Sequence, residues 1–151
     1  MGIARGAARL LLDECSKRSF NGSVLQLGRQ KFFFNLAQLK EWAPLHNVTL
    51  VENTPVSKPV SELVQGDSID DKTFFYKLGF DSVESCDYSS FQEADHVFDL
   101  NLPVPSHLHN KYDVIVDFGT TEHITDIKAD KIDYVIGASC LISPEVLLNI
   151  G

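Results

Sequence analysis

Apolar and polar residues alternate in blocks rather than singly along most of this chain. Residues 3–17 place Ala4, Ala7, Ala8, Leu11, Leu12 and Cys15 on one face at helical spacing, with Arg5, Arg9, Asp13 and Lys17 mostly elsewhere. That pattern predicts an amphipathic helix. Asn21 followed by Gly22 signals a turn, and the short apolar run 24–27 directly after it predicts a strand that ends on Gly28. Residues 32–42 read as a second helix, stopped by Pro44. Val48 to Val51 could form a short strand. The stretch 52–70, with Pro55, Pro59 and Gly66, reads as an irregular connection or small lid.

Residues 68–71 offer N-cap side chains for a helix over 71–78, and Gly79 occupies the usual C-cap place. A strand at 82–86 runs into Asp87, a turn or short helix covers 88–94, and Val97 with Phe98 makes a brief strand. One helical turn is expected at 106–110. The clearest strand spans 112–117, a further buried strand is expected at 132–138, and a helix from 144 to 150. Apolar runs without polar alternation imply burial on both faces, as in parallel sheets. Strands alternating with helices imply an α/β fold with a mainly parallel sheet and flanking helices. In it, the strand at 24–27 is expected to be central, between those at 83–86 and 114–116. One domain over 1–151 is expected, with no internal repeat.

Three strand ends carry glycine or acid: Gly28, Asp87, and the run VIVDFGTTEH at 114–123. Ligands of open α/β sheets bind outside the carboxyl ends of the strands, so these ends form a candidate pocket. Composition narrows the ligand. Net charge is −8 and no stretch concentrates Lys and Arg, which disfavours nucleic acid and favours a small molecule. Three scattered cysteines, Cys15, Cys86 and Cys140, include no CxxC pair, arguing for a reducing, cytoplasmic setting. No apolar run approaches the ~18 residues of a membrane span. A GxGxxG turn and a P-loop are both absent, which disfavours a nicotinamide cofactor and a nucleoside triphosphate.

The blocks FFxxLGF at 74–80, CDYS at 86–89, Ala94 and Asp95 before DLNxPxP at 99–105, YDVI at 112–115 and GTTEH at 119–123 follow one another in order. Together they resemble a class I S-adenosylmethionine-dependent methyltransferase of Rossmann-like form. The resemblance covers residues 23–124 and is dense from Phe74 onward. It implies a cofactor set of Gly28, Arg29, Asp87, Tyr88, Asp99, Leu100, Asp117 and Gly119, and an acceptor side holding Glu122 and His123 as catalytic candidates. Asp99, or the backbone beside it, would face the adenine amino group, and the Gly28 turn the methionine part. A carboxylate at the end of the second strand suits a ribose diol, because one ionised acid accepts both hydroxyl hydrogens. Asp87 has that place, and equally suits an Asx-turn or N-cap before Tyr88.

The family carries several glycines after its first strand; here Gly28 is followed by Arg29 and Gln30. Arg29 either pairs with the cofactor's carboxylate or forms a surface ion pair. His123, with an ordinary pKa of ~6.5, suits a general base, or else bonds a loop. His96, His107 and His109 read as solvated side chains, with no metal site. Cys86 reads as an inert core residue, and residues 32–34 as core or the lining of an acceptor pocket. The family's full sheet has seven strands, of which about five can be placed here, and the link after Ile124 is shorter than the roughly dozen residues of a crossover helix. The chain therefore reads as lacking the last strands of the full fold, a fragment or a reduced relative. An exposed sheet edge would favour a homo-oligomer. Three functions follow: methyl transfer to a small-molecule acceptor, a non-catalytic domain of the same fold used for binding or assembly, and, as a distant third, a nicotinamide-dependent oxidoreductase.

Overall fold

The computed structural model of the protein describes residues 2–18 and 20–120, together with the backbone of 140–142. The expected strand at 132–138, the helix at 144–150 and the candidates Glu122 and His123 lie outside the described residues. The fold is α/β, with parallel sheets and helices, and its residues gather into two compact units. The first comprises Met1–Asn21 and Gln30–Val83, the second Gly22–Arg29 and Glu84–Gly151.

In the first unit, β1 (Gly2–Ile3) pairs in parallel with β3 (Lys31–Phe32), and α1 spans Arg5–Lys17. The apolar stripe of α1 is buried at Ala8, Leu11 and Leu12, as its spacing predicts. Glu14 is buried too, and its carboxylate is held by Lys17 at 3.1 Å and Arg18 at 3.2 Å.

Helix α2 covers only Leu36–Trp42, and this corrects the expected start at Phe32. The reason is a capping box: the Asn35 side chain accepts the Gln38 N–H at 2.9 Å, while the Gln38 side chain accepts the Asn35 N–H at 3.0 Å. Two of the helix's orphan donors are satisfied there, so the helix begins at that point. Phe32 belongs to β3 instead. A 3-10 turn at Ala43–His46 follows, with Pro44 in its first turn, where a missing N–H costs nothing.

No strand forms at 48–51. That segment is held by the Val51 N–H donating to the Lys77 carbonyl at 2.9 Å, and by Lys77 Nζ donating to the carbonyls of Val51 and Glu52 at 3.1 and 2.7 Å. Helix α3, Asp71–Leu78, has the predicted caps: Asp70 accepts the Thr73 N–H at 3.0 Å, and Gly79 takes φ 117°. A Cβ at Gly79 would also collide with the Phe20 carbonyl. Phe20, Phe32, Phe34, Phe74, Phe75 and Phe80 build the core of this unit, with Phe32 and Phe74 ring centroids 4.7 Å apart. Each buried phenyl contributes about 1.5–3 kcal/mol of transfer free energy.

The second unit holds the larger sheet. Its strands are β2 (Ser23–Leu27), β4 (Ser82–Asp87), which the chain enters as it passes from the first unit, β5 (His96–Val97), β6 (Val114–Asp117) and β7 (Cys140–Ile142). Their spatial order is β5-β4-β2-β6-β7, so β2 is central with β4 and β6 beside it, as the apolar runs predict. The pairs β2–β6, β4–β5 and β6–β7 are parallel, with Val24 opposite Val114 and Leu27 opposite Asp117. All four residues of β6 are buried, which is the burial on both faces that a parallel sheet requires. Leu25, Leu27, Cys86, Leu108, Tyr112 and Ile115 form the core, with Phe98 and Val104 packed against it. Leu108 arrives on the expected single turn, a 3-10 turn at Ser106–Leu108.

Candidate functional site

Parallel pairing brings the carboxyl ends of β2, β4, β5 and β6 to one edge of the sheet, and the loops leaving β4, β5 and β6 enclose a cavity of about 350 Å³. Asp87, Tyr88, Phe98, Asp99, Leu100, Asn101, Gly119 and Thr120 line it. Five of the eight residues that the sequence points to as a cofactor set are therefore gathered in one place: Asp87, Tyr88, Asp99, Leu100 and Gly119.

Asp87 ends β4. Its Oδ1 accepts a long hydrogen bond, 3.4 Å, from the Ser89 N–H, so the Asx-turn is present. Asp87 also lines the cavity. The Asp87 carbonyl accepts the Phe98 N–H at 3.0 Å, tying the loop after β5 to the end of β4. In that loop Asp99 Oδ1 accepts both the backbone N–H and the side-chain Nδ2 of Asn101 at 2.8 Å, which folds 99–101 into a tight turn.

Gly28, Arg29 and Asp117 stand apart from the lining. Gly28, at φ 72°, donates its N–H to the Cys86 carbonyl at 2.7 Å, a left-handed conformation that favours glycine. Arg29 is only 6% exposed, so it is not a surface ion-pair residue. Its Nη1 donates to the carbonyls of Gln92 at 3.2 Å and Glu93 at 3.5 Å and fastens the loop after β4. Asp117, buried at the end of β6, accepts the N–H groups of Gly119 at 3.2 Å and Thr120 at 2.9 Å. Thr120 Oγ1 in turn donates to the Leu27 carbonyl at 2.6 Å, joining the loop after β6 to the end of β2. Asp117 thus shapes the glycine turn without lining the cavity.

Phe98, Asn101 and Thr120 also line the cavity, although the sequence points to none of them as a site residue. Asn101 left a local trace, since Asp-x-Asn is an Asx-turn pattern; Phe98 and Thr120 enter the cavity through long-range packing and bonding.

The cavity is acidic. Two carboxylates line it, and none of the described lining residues is Lys or Arg. Cys86, just behind Asp87, reports the same environment: burial, followed by the charges of Asp87 and Asp117, pushes its thiol up to about 12. That is the inert core cysteine the sequence suggests. Away from the cavity, Glu84 collects hydrogen bonds from His96 Nε2 and Lys111 Nζ, both at 2.7 Å, and from the Tyr112 hydroxyl. His96 and His107 have ring centroids 5.6 Å apart, and His109 Nε2 bonds the Val104 carbonyl at 2.9 Å. Among the described residues no group of three His, Cys, Asp or Glu side chains could hold a metal ion, and no helix is long and apolar enough to cross a membrane. Comparison with protein families, curated proteins and solved structures finds no match to the chain.

Proposed function

We propose that the cavity at the ends of β4, β5 and β6 binds S-adenosylmethionine, and that the chain is a Rossmann-like class I methyltransferase, or the cofactor-binding part of one, acting on a small-molecule acceptor. The observation that carries this reading is the convergence of Asp87, Asp99 and the Gly119 turn on one cavity beside the central strand. Counted in chain order within its sheet, the strand sequence β5-β4-β2-β6-β7 is 3-2-1-4-5, the order of a Rossmann sheet, in which ligands bind beyond the strand ends. A volume of about 350 Å³ falls in the range of small-molecule sites.

The residues present fit the group. Asp87 would accept the two ribose hydroxyls, Asp99 or the adjacent backbone would take the adenine amino group, and Phe98 and Leu100 offer apolar surface for the base. Two carboxylates with no Lys or Arg among the described lining residues suit a cationic sulfonium better than a phosphate, which favours this cofactor over dinucleotides. When bound, the cofactor supplies the methyl group, and in-line displacement depends on positioning. Glu122 and His123 are proposed for the acceptor side, with His123 the better general base.

Calorimetric titration with S-adenosylmethionine, S-adenosylhomocysteine and NADH tests the proposal. Binding of the first two and not the third is expected. Asp87→Ala, confirmed folded by circular dichroism, should weaken binding by tenfold or more, since charge-assisted hydrogen bonds contribute ~1.5–3 kcal/mol each. Unchanged affinity in that variant would overturn the site. Binding without methyl transfer would favour the non-catalytic reading.

A further inference from the structure

A second cavity, of about 240 Å³, lies wholly in the first unit, beside the start of α2. Its rim combines one exposed aromatic ring with a fringe of neutral and acidic hydrogen-bonding groups. Phe33 is 57% exposed, whereas Phe32 and Phe34 are 1% and 3% exposed in the core. The Phe33 backbone is nonetheless anchored. Its N–H donates to the Ile3 carbonyl at 3.1 Å, and the ring lies so close over Gly2 that a Cβ there would collide with it. The glycine at position 2 therefore gives the ring its seat.

Part of the polar fringe is anchored as well. The capping box sets Asn35 and Gln38, and Asn35 Nδ2 donates to one oxygen of Asp67 at 2.6 Å. Asp67 and Gly66 form a turn in which the Ser68 hydroxyl accepts the Gln65 N–H at 3.0 Å and the Ser68 N–H donates to the Gln65 carbonyl at 3.2 Å. Gly66 takes φ 62° there. Among the described residues, Gln38 Nε2, the second Asp67 oxygen and the Gln65 side-chain amide have no protein partner, and the three residues that carry them line the cavity.

These groups select a ligand by chemistry. Among the described lining residues no Lys or Arg is present to hold an anion, and a lone carboxylate already bonded to Asn35 is a poor cation site. What remains is a flat apolar face bordered by donors and acceptors. A ring that presents C–H groups on one face and hydroxyls around its edge is its complement. The volume lies below the ~300 Å³ at which drug-sized pockets begin, so it holds one ring. We propose that this cavity is a subsite for a neutral pyranose, with Phe33 stacking on the sugar face and Gln38, Gln65 and Asp67 bonding its hydroxyls. The proposal does not rest on the cofactor reading of the other unit.

The test is a titration of the isotope-labelled full chain with methyl β-glucoside and methyl β-galactoside, followed by amide NMR shifts, with glycerol as a polyol lacking a ring face. Shifts should concentrate on residues 33–38 and 65–68 and saturate for at least one glycoside with a Kd on the order of 1 mM, the ordinary range for a ligand of one ring. Phe33→Ala should raise that Kd by about tenfold or more, and Gln65→Ala, an exposed change that spares the core, by several-fold. Absence of saturable shifts for both glycosides, equal shifts with glycerol, or an unchanged Kd in both variants would overturn the proposal.

Discussion

Replacing Glu84 by Gln separates a charge effect from a packing effect in the second unit. Burial pushes the Glu84 carboxyl up, but hydrogen bonds from His96, Lys111 and Tyr112 and the charge of Lys111 outweigh it and hold it at about 2 against an ordinary value of 4.5. A depressed carboxylate pKa stabilises the folded state above the unfolded pKa, and that stabilisation is lost as pH falls from about 4.5 toward about 2. The shift corresponds to about 3 kcal/mol before screening. Because the side chain is 25% exposed, solvent reduces this to about 1–2 kcal/mol. Glu84→Gln keeps the shape and removes the charge. Urea unfolding of both proteins, at about pH 6 and at stepwise lower pH, gives the difference in stability at constant slope. The native protein should be more stable at about pH 6, and its advantage should shrink by about 1–2 kcal/mol through the acid window. An advantage that stays constant with pH would refute the reasoning, because Glu84 would then contribute only neutral hydrogen bonds and packing.

One further substitution and one labelling experiment probe the scaffold. Gly79→Ala should destabilise the first unit by about 1–3 kcal/mol in thermal or urea unfolding, since φ 117° strains an L side chain and the new Cβ meets the Phe20 carbonyl; a neutral result would contradict that geometry. Cys86, fully buried with its thiol pushed up to about 12, should resist iodoacetamide at neutral pH and become labelled only on unfolding, while partly exposed Cys15 reacts first; site-resolved peptide mass spectrometry decides this.

Much of the local structure was legible because it depends on near neighbours in sequence. The stripe Ala8, Leu11, Leu12 is one face of a 3.6-residue period, and it is buried in α1. Asp70 and Gly79 bracket α3 because a cap is a bond within one turn. The unbroken apolar run in β6 required burial on both faces, and that requirement placed β2 and its neighbours within a parallel sheet. The Asn35–Gln38 capping box is equally local, and it sets the start of α2 at Leu36 rather than Phe32.

Other features answer to distant partners. Lys31 and Phe32 form a strand only because Gly2 and Ile3 supply the complementary backbone groups; a two-residue strand carries no period of its own. Arg29 reads as a surface cation in isolation, and becomes a buried clamp because the carbonyls of Gln92 and Glu93 converge on it. Asp117 reads as a ligand residue, yet two backbone N–H groups occupy it, and it sets the loop from behind. Thr120 faces the cavity because its hydroxyl reaches the Leu27 carbonyl, 93 residues away in sequence. The sequence by itself determined the periodic helices, the buried strands and the acids at their ends. Tertiary structure alone decided which of those acids face the cavity and which hold its walls, because hydrogen bonds between distant segments have no repeat along the chain.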